Sequence, residues 1–379
     1  MQRLQQTLAL LLLVLASSAT SIATASAASD ARARAHALNI SAPSGVSRAD
    51  VVSYPGASFV TVQFADFHLP LGDVVVVRSP DATQGHVYSD TGRGSRGAFS
   101  SSPIRGDSAV VEYFALNTTA ASGVSYRLVG ATHGAAAVPE AICGQDDSRP
   151  ARCYADWPLA PLAYNRSRAV ARLLIEGSLH CTGWLVGSAG HLLTNQHCVP
   201  TALQAEDIEI ELGADGAACA DACDAPFACA GTLVATSATF VASNEELDYA
   251  LLQLQLPLPP NMDVAGFGFL QVRRSGPQVH EQIYVPQHPL GWGRRIAAQL
   301  DGGAPAVVTF TNRSTVCGRN SVGYMADTQG GSSGAPVIAV SDNRVVALHA
   351  CGSCDNQAMD IRDVVADMEA RGIVIPDIA

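Results

Sequence analysis

No cysteine precedes Cys143, so any core in the N-terminal part of the chain must be held by packing alone, without a disulfide framework. Beyond the apolar run Leu8–Ala16, no stretch approaches the ~20 residues that a membrane-spanning helix needs, and a membrane anchor is not expected. Basic stripes are missing too. Asp and Glu number 34 against 23 Lys and Arg, and the net charge of −11 is spread along the chain. That distribution excludes a phosphate-tracking surface and, with it, nucleic acid as a partner. Residues 46–128 contain no aromatic cluster that would make a sugar-binding platform. Repeats of fixed period are absent, which excludes a solenoid.

What is present begins with a leader. Arg3, the apolar run and the small residues Ala25-Ser26-Ala27 read as a signal peptide over residues 1–27. Ten cysteines follow, an even number behind a leader, and this favours five disulfides in a secreted, extracellular protein. Cys351-Gly-Ser-Cys354 has the spacing of half a zinc ribbon, but no second such pair accompanies it and no metal site is expected. Sequons at Asn39, Asn117, Asn165 and Asn312 suit the same secretory route.

Two domains are expected after the leader. Residues 28–139 hold short β-branched runs, Phe59–Phe64, Asp73–Arg78 and Ser108–Phe114, separated by Gly, Pro and Asp turns. This alternation is the pattern of a β-sandwich. Its rhythm resembles jelly-roll modules of the CUB type, and no partner for it can be named. The Ala/Gly-rich stretch 130–138 reads as a linker. Residues 140–379 bring further strands, among them Cys181–Val186, Tyr249–Leu254, Ala335–Val340 and Arg344–His349, with no helices between them, as in an all-β barrel. At the end, Asp360-Ile-Arg-Asp363 reads as a capping box for a helix whose Ile361, Val364, Val365 and Met368 share one face.

Three settings carry chemistry. Serine becomes a nucleophile only when a base takes its proton and a third group orients that base. Gly330-Gly-Ser-Ser-Gly-Ala-Pro336 is a tight turn before an apolar strand, and its glycines let the amides of Gly331 and Ser333 converge on one oxygen. In Leu192-Leu-Thr-Asn-Gln-His-Cys198, a strand delivers His197 beside Cys198. A Cys181–Cys198 disulfide would close the hairpin carrying that base and add roughly 3 kcal/mol. Leu247-Asp-Tyr-Ala-Leu-Leu252 places Asp248 at the mouth of a buried strand.

Together these motifs, in the order His, Asp, Ser, resemble the trypsin-like serine endopeptidases from about Cys143 onward. The resemblance implies a two-barrel chymotrypsin-like domain with His197 as general base, Asp248 as its partner and Ser333 as nucleophile. It further implies Gly331 and Ser333 as the oxyanion hole, protein or peptide substrates and no cofactor. Gln287-His-Pro289, Arg294-Arg-Ile296 and Leu348-His-Ala-Cys-Gly352 look most like the lysyl and glutamyl endopeptidases. The resemblance also implies a Cys143–Cys354 disulfide. Cys153 is then expected to reach Cys219, Cys223 or Cys229, and Cys317 to pair with Cys351. Ser332 stands where zymogen-activated trypsins carry an aspartate, which argues against activation by a buried terminal amine. The alternative to an enzyme is a catalytically silent protein of the same fold that binds partners.

By resemblance, the walls of the specificity pocket include Asp327, Thr328 and His349. Asp327 lies six residues before Ser333, where trypsin places its cation-binding carboxylate, and this inclines the reading toward substrates with Lys or Arg. In glutamyl endopeptidases a threonine and a histidine at the places of Thr328 and His349 hold an acidic substrate instead. A plain turn role for Asp327 is the third reading.

Overall fold

The computed structural model describes residues 21–24, 34–94, 96–116, 123–134, 142–255, 265–315 and 317–379. The expected leader lies outside these, apart from Ser21–Thr24, which forms a short strand parallel to Arg48–Ser53. The chain divides into two compact units, one holding Arg34–His133 and the other Gly134–Ala379.

In the first unit the β-branched runs become strands because alternate side chains find a core. Val74–Arg78 buries Val75 and Val77, and Phe59–Ala65 buries Val60, Val62 and Phe64. One sheet runs in the order Ser21–Thr24, Arg48–Ser53, Ser108–Phe114, Val74–Arg78, Gly85–Tyr88. The other runs Arg34–Pro43, Val124–His133, Phe59–Ala65, Phe99–Ser100, with Ile104–Arg105 also on Phe59–Ala65. Phe64, Phe67, Phe99 and Tyr126 stack or meet edge to face with centroids 5.0–5.8 Å apart. The strand Val124–His133 extends into the stretch read from sequence as linker. Ala131–His133 pair on both sides, with Val60–Val62 and with Arg34–His36, and two ladders outweigh the low strand propensity of Ala and Gly.

The second unit is built on two large, mostly antiparallel sheets. The first has seven strands in the order Thr232–Ala235, Ile208–Leu212, Val170–Ile175, Leu179–Val186, His191–Thr194, Tyr249–Gln253, Thr239–Asn244. An eight-stranded sheet includes Ile283–Gln287, Pro336–Ala339, Val345–Cys351, Asn356–Asp360 and Gly318–Tyr324 as consecutive neighbours. The C-terminal helix Ile361–Ala370 starts as its sequence requires: the Asp360 side chain accepts the Arg362 N–H at 3.0 Å, and Ile361, Val364, Val365 and Met368 are buried. Five disulfides join Cys143–Cys354, Cys153–Cys219, Cys181–Cys198, Cys223–Cys229 and Cys317–Cys351, and among the described residues no cysteine is free.

Candidate active site

Strand register brings His197 to Asp248. His191–Thr194 pairs antiparallel with Tyr249–Gln253, Thr194 opposite Ala250, so the residues leaving the first strand meet those entering the second. There the Asn195 amide donates to the Asp248 carbonyl at 2.7 Å. One carboxylate oxygen of Asp248 accepts the His197 backbone N–H at 3.0 Å, and the other lies 2.7 Å from His197 Nδ1. Asp248 makes these contacts at φ 41°, a left-handed conformation that an aspartate adopts at a cost and that the surrounding bonds enforce. The imidazole is thereby held by its Nδ1 edge while its side chain stays 44% exposed.

Ser333 arrives from the other sheet. Its loop enters the strand Pro336–Ala339, whose partner strand carries His349; the Gly334 N–H donates to the His349 carbonyl and the His349 N–H to the Ala335 carbonyl. Thr182 ties this loop to the hairpin bearing the histidine. Its N–H donates to the Ser333 carbonyl and its hydroxyl to the Gly331 carbonyl, both at 2.8 Å, while Cys181 is bonded to Cys198 next to His197. Gly334 has φ +89°, and a Cβ there would sit 2.1 Å from the Thr182 carbonyl oxygen, so only glycine lets the loop approach so closely.

Within the turn, amides alternate between used and unused. Ser332 N–H donates to the Gln329 carbonyl and Gly334 N–H to that of His349. Among the described residues the N–H groups of Gly331 and Ser333 donate to no protein acceptor. Unsatisfied donors at these two alternate positions suit an incoming oxyanion. Gly331 holds φ +93°, with its carbonyl turned to Thr182. No hydrogen bond joins the Ser333 hydroxyl to His197 among the described residues, a contact that in hydrolases tightens when substrate binds.

Asp327, Thr328 and His349 are all buried. Among the described residues the Asp327 carboxylate pairs with no cation: one oxygen accepts the Cys143 N–H at 3.0 Å and the other the Asp147 N–H at 2.8 Å. Burial pushes its carboxyl above the usual range, against the pull of those two amide bonds. The Thr328 hydroxyl is buried and has no partner among the described residues. His349 Nδ1 lies 2.6 Å from the Tyr324 hydroxyl, and burial lowers its pKa to about 3. Tyr324, Thr182 and the 143–147 segment are not legible as site residues in sequence, because each acts through a contact far away along the chain. The cluster Cys181, His197, Cys198 has the residue types of a metal site, but both sulfurs are in a disulfide and offer no thiolate.

Burial also depresses His180 to about 3. The unfolded chain therefore binds more protons than the folded one below pH 6.5, and the stability these neutral histidines represent is complete above that pH and lost as pH falls toward 3. At pH 5, His180 and His349 each account for about 2 kcal/mol. The urea midpoint of the second unit should fall continuously from pH 7 to pH 4.5; a flat profile would show that both rings are protonated in the folded state without cost.

Comparison with known proteins agrees with the fold. The model of the trypsin-like peptidase domain matches residues 181–348. Secreted RxLR effector protein 73 of Plasmopara viticola is 40% identical over 334 residues, 84% of this chain and 81% of that protein. Among solved structures, the serine endoprotease from Yersinia pestis aligns over 54% of this chain and 63% of its own, at 15% identity and a TM-score of 0.40. The active form of the Rv3671c protease from M. tuberculosis aligns over 57% and 86%, at 16% identity and a TM-score of 0.41. The chain belongs to the trypsin-like peptidase family, in one family with the P. viticola protein.

Proposed function

We propose that the protein is a secreted serine endopeptidase acting through an acyl-enzyme, with His197, Asp248 and Ser333 as its triad. The observation that carries this reading is the 2.7 Å His197–Asp248 pair next to a nucleophile turn with two unused amides. Ser333 Oγ attacks the scissile carbonyl and its proton passes to His197 Nε2, while Asp248 stabilises the imidazolium. The tetrahedral oxyanion sits on the Gly331 and Ser333 amides. His197 then gives the proton to the leaving amine, and water repeats the sequence on the acyl-enzyme. Secretion is supported by the five disulfides and by exposed sequon residues Asn39, Asn165 and Asn312. Asn117 lies outside the described residues. The related P. viticola protein is itself named as secreted. Incubating the purified secreted chain with a fluorophosphonate probe tests the proposal: labelling at Ser333 supports it, and an unlabelled, folded chain would place the protein with silent partner-binding members of the fold.

For primary specificity, the bonds of Asp327 weigh against its pairing with a substrate Lys or Arg, since both carboxylate oxygens already accept amides. The unpartnered Thr328 hydroxyl beside it favours a substrate side chain that accepts a hydrogen bond, and glutamate fits. Profiling on a mixed peptide library should give cuts clustered after Glu, with Thr328→Val lowering kcat/KM for them about tenfold; cuts clustered after Lys or Arg would overturn this assignment.

A further inference from the structure

The nucleophile turn is braced from outside by a segment that begins the second unit. Asp327 is buried and, among the described residues, pairs with no Lys, Arg or His, so its charge is tolerable only through the bonds it accepts. Both its oxygens take backbone N–H groups from residues 143–147. Two residues further along the turn, Gln329 Nε2 donates to Asp146 Oδ2 at 3.0 Å. Cys143 is also covalently bonded to Cys354, and the Gln145 N–H donates to Asp301. The segment is therefore itself anchored at both sides of its contacts with the turn.

Inside the turn the brace continues to the reacting centre. The Gln329 N–H donates to the Ser332 hydroxyl at 3.1 Å and the Ser332 N–H returns to the Gln329 carbonyl at 2.9 Å, with Ser332 fully buried. Ser332 thus spends its side chain within the turn, and Asp327 ties the turn to the 143–147 segment, as Thr182 ties it to the hairpin on the other side of the nucleophile. Gln287 completes the seat by donating to the Asp327 carbonyl at 2.7 Å.

We propose that Asp327 is a positioning residue that, through its bonds to the Cys143 and Asp147 amides, holds the Gly331 and Ser333 amides in catalytic geometry, a task given in zymogen-type trypsins to a new terminal amine. The inference rests on the peptidase reading and adds to it a role for Asp327 and for the 143–147 segment. It follows that the turn is shaped by internal backbone donors and not by the identity of a terminus. Released forms starting at different residues between 136 and 142 should turn over alike.

The test compares full-length wild type with Asp327→Ala, Asp327→Asn and Asp146→Ala, reading both the rate of fluorophosphonate labelling and turnover per labelled site. Asp146 is exposed, but its carboxylate also accepts the buried Ser148 N–H at 2.9 Å, so the urea midpoint of Asp146→Ala is read alongside its rates. Asp327→Ala should lower both rates about 10²-fold, the scale of losing an oxyanion donor, and Asp146→Ala about fivefold. Asp327→Asn, which keeps one acceptor, should recover part of the loss. The factor should be the same for substrates with Glu, Leu or Lys at the cleavage position. A loss confined to Lys and Arg substrates would return Asp327 to the specificity pocket and overturn the proposal. So would variants that unfold at lower urea yet turn over at the wild-type rate per labelled site. A wild type that neither labels nor hydrolyses would sink the peptidase reading itself, which separates the two failures.

Discussion

Ser333→Ala is expected to abolish fluorophosphonate labelling and to lower peptide hydrolysis by about 10⁴–10⁶. Of the two serines in the turn, only Ser333 has its own amide left unused, and its carbonyl is fixed at 2.8 Å to Thr182 on the hairpin disulfide-linked to the His197 segment. Ser332 is fully buried with its hydroxyl bonded to the Gln329 N–H, so a substrate carbonyl cannot reach it. Ser332→Ala should keep labelling and substantial turnover, with a stability loss of about 1 kcal/mol from one internal hydrogen bond. Rates measured on the two purified variants decide the matter. Hydrolysis by Ser333→Ala at the wild-type rate would remove Ser333 from the chemistry.

Asp248→Asn should lower kcat by about 10⁴ while leaving the fold intact. The carboxylate accepts two hydrogen bonds, from the His197 N–H and at His197 Nδ1, and an amide can present an acceptor to only one of them. Either the backbone of the base or its tautomer is then wrong. Asparagine is suited to the test because it tolerates the left-handed conformation at φ 41° better than most residues, so the effect reports chemistry and not strain. Unfolding midpoints within error of wild type together with the drop in kcat support the role; unchanged kcat would show that Asp248 only shapes the turn.

Local pattern made much of this architecture readable. The runs Ser108–Phe114, Tyr249–Leu254 and Ile361–Met368 are strands or helix where their periodicity places them, since each has one face that must be buried and turn or cap residues at its ends. Glycines around Ser333 announced a tight turn because few other residues reach φ +89°. At Gly130–His133 the expectation of a linker gave way: Ala and Gly are poor strand formers, yet pairing partners far along the chain drew these residues into a strand, while 135–138 lie outside the described residues. The seat of Asp327 was illegible because its partners lie 180 and 184 residues away and are backbone amides, which carry no side-chain signature.

What the sequence by itself determined, then, is the order His, Asp, Ser, the strands that carry them, and an even cysteine set for a disulfide-bonded body. These follow from side-chain type and spacing, which local physics turns into strands, turns and caps. Tertiary structure alone decided which amides of the turn stay unpaired, that both oxygens of Asp327 accept backbone N–H groups, and that Thr328 is left with an unmet hydroxyl. Those outcomes depend on which groups meet across long stretches of chain. A carboxylate reads the same in sequence whether its oxygens face a substrate or an amide, and only the closing of the two sheets determines which.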